Sequence, residues 1–82
     1  MNKEGIASNG DDKHAGQYAN YFKVGHNDVE FVLDFGQFYP DDENAHIHTR
    51  IITNPGYAKV LLELLQGSIN QYEQTFGEIL QK

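Results

Sequence analysis

His46 and His48 stand one residue apart, and on a regular strand that spacing puts two imidazoles on one face, about 7 Å apart at the backbone. Such a pair can ligate a metal ion. Asp41, Asp42, Glu43 or His26 would have to complete the shell, because zinc takes imidazole and carboxylate ligands and its structural sites need about four. The motif is common, has no second histidine pair beside it, and the chain has no cysteine to supply thiolates. Arg50 falls on the same strand face and would oppose a bound cation; it suits an ion pair with Asp34 or Glu30 across a sheet instead. His46 and His48 are therefore the metal candidates, while the expected state is a solvent-facing or interface pair with no metal and no cofactor.

Acid–base catalysis needs two carboxyl groups converging in one pocket with their pKa values pushed apart. Glu30 and Asp34 share a strand face but lie about 13 Å apart, too far to share a proton. Ser8 sits in a polar segment and Ser68 beside Gly67 in a helical pattern, and neither belongs to a nucleophile motif. The glycines are scattered, so no loop is built to cradle phosphate. No catalytic residue is assigned, and no enzymatic activity is expected.

The elements that position these side chains are legible in the hydrophobic periods. Tyr18 to Val24 clusters aromatic and β-branched residues and predicts a first strand with Tyr18, Asn20, Phe22 and Val24 on one face. Gly25 to Asp28 supplies turn chemistry. In the next segment Val29, Phe31, Leu33 and Phe35 alternate with Glu30, Val32 and Asp34, which predicts one core face and one wet face. An acidic connection from Gly36 to Asn44 follows, with Phe38 and Tyr39 as loop anchors over the core edge. The third strand, Ala45 to Thr53, places Ile47, Thr49 and Ile51 opposite His46, His48, Arg50 and Ile52. Asn54 is a helix N-cap and Pro55 fits the first helical position, where its missing N–H costs nothing. Tyr57 to Phe76 then repeats at helical spacing, Gly77 is a candidate terminator, and Ile79 and Leu80 would allow continuation to the end. The fold class is α+β: a three-stranded antiparallel β-meander and one long C-terminal helix, in two layers.

Residues 1–16 hold too little apolar surface to offset backbone ordering and read as a disordered tail, leaving residues 17–82 as a single β-β-β-α domain. Twelve acids against six bases give a net charge of -6, and the bases form no stripe, so nucleic acid is a disfavoured partner. No apolar stretch approaches the roughly 20 residues of a membrane span, and no hydrophobic signal region opens the chain. The absence of cysteine suits a reducing cytoplasm.

A helix of this length runs about 30 Å and overhangs strands of six or seven residues. Its apolar stripe is also wider than one small sheet can cover. Fully burying one Leu, Ile or Phe is worth about 1.5–3 kcal/mol, so the surplus predicts a homo-oligomer, a dimer first. The expected self-association surface is Leu61, Leu65, Ile69, Tyr72, Phe76 and Ile79, with exposed strand edges as the other route. Gly67 would allow close backbone approach, to the sheet or to a second helix. An alternative function is a small regulator that binds nucleic acid as a dimer through its sheet, with Lys23 and Arg50 at the centre; a third is a histidine-based metal module.

Tyr18-Ala19-Asn20, then Glu30 to Phe35, then Arg50-Ile51-Ile52 with Asn54-Pro55 and Ala58-Lys59, and finally Tyr72-Glu73 with Phe76-Gly77 occur in a set order and spacing. As a set they resemble the prokaryotic domain-of-unknown-function family 3467. The resemblance covers nearly everything after the tail. It implies a small stand-alone α+β protein of bacteria and archaea and brings no activity or catalytic residues with it. The expected role is a non-enzymatic, self-associating interaction or assembly module in the cytoplasm, with an unknown protein as a further possible partner.

Overall fold

Three strands and one helix follow in chain order: β1 (Tyr21–His26), β2 (Phe31–Gln37), β3 (His46–Thr53) and α1 (Pro55–Phe76). The structure is a computed structural model and describes residues 15–81. The tail expected over residues 1–16 lies almost wholly outside the described residues. β2 is the central strand of an antiparallel sheet in the order β1-β2-β3, as the meander predicts.

The first hairpin turns later than the glycine suggests. The Asn27 side-chain oxygen accepts from the N–H groups of Val29 and Glu30 at 2.8 and 3.0 Å, so the turn closes over Asn27 to Glu30. Gly25 and His26 are thereby drawn into β1, opposite Val32 and Phe31. Tyr18 and Asn20 precede the strand instead of opening it. Asn20 anchors the β2–β3 connection: its side chain accepts from the Phe38 N–H at 2.8 Å, and the Phe38 ring meets Tyr21 edge-on at 5.2 Å. Phe38 thus anchors the loop, but against Tyr21 on the sheet face that carries Asp34, and not over the apolar face as expected.

Cross-strand neighbours share a face. By register, Phe22 and Val24 of β1, Phe31, Leu33 and Phe35 of β2 and Ile51 of β3 form one apolar face, with Phe22 and Phe35 in edge-on ring contact at 5.8 Å. The other face carries Lys23, Asp34 and Arg50 in one row. Ile47 departs from expectation. A bulge steps the register from Phe35 opposite Thr49 to Gly36 opposite Ile47, leaving His48 as the extra residue of β3. Ile47 therefore lies with Gly36 on the Asp34 side, away from Ile51.

Gly36 is what admits the bulge. A Cβ there would lie 2.4 Å from the carbonyl oxygen of His46 and 3.0 Å from the Cα of Ile47. Only glycine lets the two backbones come this close.

α1 begins where the sequence places it. Asn54 accepts from the Tyr57 N–H at 2.7 Å, and Pro55 opens the helix. It ends at Phe76, because Gly77 takes φ 102° while its N–H donates to the Glu73 carbonyl at 2.9 Å. Ile79 and Leu80 therefore lie beyond the helix, and the continuation does not form. Strand and helix order match the α+β expectation, but a closed core between the two layers does not form within one chain. Among the described residues no hydrophobic side chain is buried, and α1 has no buried residue.

Candidate functional site

The apolar sheet face and the first half of α1 stand across an open cleft of about 550 Å³. Val24, Phe31 and Leu33 line it from the sheet, and Ala58, Leu62 and Leu65 from the helix. Among the described residues, Lys59 supplies its only charged side chain. The walls follow from two periods, alternation along β1 and β2 and helical recurrence along α1. Water left against such walls is costly, since burying apolar surface yields about 25 cal/mol per Å².

Of the residues expected to self-associate, Leu61 and Leu65 line the cleft. Ile69, Tyr72 and Phe76 continue along α1 past it, with Tyr72 and Phe76 in ring contact at 5.0 Å. Phe76 remains 73% exposed and Leu65 55% exposed. Ile79 lies beyond the helix end, where its N–H donates to the Glu73 carboxylate at 3.0 Å. Gly67 faces open space, with no described atom within 4 Å of the position a Cβ would take, so the sheet does not approach it. Leu62 also lines the cleft, although it is not among the residues expected to self-associate. The signal for it was present: Ala58, Leu62, Leu65, Ile69, Tyr72 and Phe76 recur at alternating intervals of four and three.

The opposite sheet face is organised by one ion pair. Arg50 Nε and Nη2 donate to the two oxygens of Asp34 at 2.8 and 2.9 Å, the bidentate geometry that guanidinium and carboxylate favour. Asp34 is 6% exposed, which corrects its assignment to a wet face. The hydrogen bonds from Arg50 hold its carboxyl below the usual carboxylate range against the opposing effect of burial, and Lys23 adds a further cation. Asp34 in turn raises the Arg50 pKa.

The bulge separates the two histidines that regular alternation would pair. His46 Nε2 lies 2.6 Å from Asp42 Oδ2, and its ring tilts over Tyr39. Asp42 also accepts the Asn44 N–H at 2.9 Å, and these contacts, His46 first, lower its pKa. His48 Nε2 instead meets the Tyr18 carbonyl oxygen at 3.1 Å, and its Nδ1 meets the Thr49 hydroxyl at 2.7 Å. His26 stacks on Phe31 at 5.3 Å. Among the described residues no three of His, Cys, Asp and Glu gather as a cation site. Ser68 lies on α1, and Ser8 lies outside the described residues.

The sequence model of the family described as "Protein of unknown function (DUF3467)" matches residues 3–81. The chain belongs to this family. The match takes in every strand, turn and cap described above and also most of the N-terminal segment read as a tail. The family description carries no activity, so none passes to the cleft or to the ion pair. No curated protein and no solved structure matches the chain. Among the described residues no helix is long and apolar enough to cross a membrane.

Proposed function

We propose that this protein is a non-enzymatic, self-associating assembly module of the cytoplasm, and that its working form is a homodimer. The observation that carries this reading is the missing core. Among the described residues no hydrophobic side chain is buried, and the apolar faces of the sheet and of α1 stand open in the single chain. A cysteine-free composition suits a reducing compartment.

The alternative of a nucleic-acid regulator centred on Lys23 and Arg50 is weakened by Asp34, which occupies donors of Arg50 and leaves the net charge of the row at one positive. Sedimentation equilibrium from low to high micromolar concentration tests the assembly reading. A dimer or larger closed species is the expected result; a folded monomer across the whole range overturns it.

A further inference from the structure

We infer that the open cleft is filled by the distal half of α1 from a second copy of this chain, running antiparallel to the α1 that lines it. This rests on the self-association reading and specifies its geometry. The cleft needs an occupant that is apolar, and the chain carries one. Ala58, Leu62 and Leu65 in the cleft wall and Ile69, Tyr72 and Phe76 beyond it belong to a single seam with a four-three repeat. A helix presenting such a seam packs against another of the same kind. Two-fold symmetry then sets the distal seam of each copy over the proximal seam and the sheet face of the other.

Charge fixes the direction. Lys59, Gln66 and Glu73 follow one flank of the seam at seven-residue intervals, whereas Leu61, Ser68 and Thr75 follow the other. In an antiparallel pair like flanks meet, so Lys59 of each copy lies by Glu73 of the other and Gln66 meets Gln66. A parallel pair would set the charged flank against the uncharged one and form no ion pair. The same pairing corrects a local fault of the lone helix. α1 has no basic residue in its last turn, where Glu73 faces the negative end of the helix dipole. A partner lysine there supplies the missing cation.

Two other occupants fit less well. Ligand sites of this volume combine apolar walls with several placed polar groups, and here Lys59 is the only charged group among the described residues of the lining. Residues 1–14 offer Met1 and Ile6 as their sizeable apolar side chains, too few to cover both walls.

Isotope-filtered NMR on a mixture of labelled and unlabelled unmodified chains gives the direct test. Intermolecular contacts between Leu33, Leu62 or Leu65 of one copy and Tyr72 or Phe76 of the other are expected. A dimer whose intermolecular contacts lie only along strand edges overturns the inference and leaves the assembly reading standing, as does a cleft in contact with Ile6 or a co-purified small molecule. A monomer ends both. Charge exchange checks direction: Lys59→Glu and Glu73→Lys each weaken dimerisation roughly tenfold through the two symmetric pairs. The double variant dimerises more tightly than either single one; without that recovery the antiparallel arrangement is wrong.

Discussion

Gly36 and Asp34, two residues apart on β2, govern one face of the sheet by opposite means, one by having no side chain and the other by having a fully engaged one. Gly36→Ala would drive a Cβ into the His46 carbonyl, 2.4 Å away. The β3 backbone must shift, and we expect a loss of about 1–3 kcal/mol or more, read from urea denaturation. Asp34 makes a prediction in pH. Its carboxyl titrates lower in the folded chain than the ordinary value of 3.8, so the folded state is favoured wherever the carboxylate is ionised. That stabilisation is complete above the unfolded pKa, near pH 4, and disappears as pH falls through the lower folded value. Asp42 adds an effect of the same sign through His46 and Asn44. Thermal melts of Asp34→Asn should start from lower stability at neutral pH and show a shallower decline below pH 4 than the unmodified chain. A decline of equal slope would mean that the Arg50 pair does not contribute.

The elements differ in how much support they find inside one chain. The sheet is held by ladders on both sides of β2, that with β3 interrupted only by the bulge at Gly36, and by the Asn27 and Asn20 side-chain bonds. α1 relies on its ends and on its own hydrogen bonds, since its apolar faces lie open. Asn54→Ala removes the bond to the Tyr57 N–H and should cost about 1 kcal/mol. Gly77→Ala forces a Cβ onto a backbone with φ 102°, and a further loss of about 1 kcal/mol is expected. Both are measured by denaturation at fixed protein concentration. Intact stability in Asn54→Ala would show that α1 is held by packing, with its cap contributing nothing.

At the scale of the molecule, stability and assembly are one equilibrium if the cleft is closed only by a second copy. A tenfold rise in concentration then favours the folded dimer by about 1.4 kcal/mol, which moves Tm by several degrees. Calorimetry over a hundredfold range checks this; a Tm independent of concentration would mean that the single chain folds alone. Ile69→Asp, on the seam but outside the cleft wall, should lower Tm and shift sedimentation toward monomer together.

The strand order, the start of α1 at Asn54-Pro55 and its stop at Gly77 were legible in the sequence because each depends on local chemistry: alternation, a cap, a ring without an N–H, a residue free to take positive φ. The Asp34–Arg50 pairing was legible as one of two options, since strand alternation narrows the partners and only register selects among them. Three features came from the tertiary structure alone. The Gly36 bulge sends Ile47 across the sheet and parts His46 from His48, because a register shift depends on how two backbones meet and not on either strand's pattern. Asp34 is buried although alternation puts it on the polar face, with the Arg50 guanidinium bonded to both of its oxygens. The surplus of apolar residues on the helix was written in the sequence; its opening against the sheet as an unfilled cleft was not, because the angle between two elements is set by whatever packs between them.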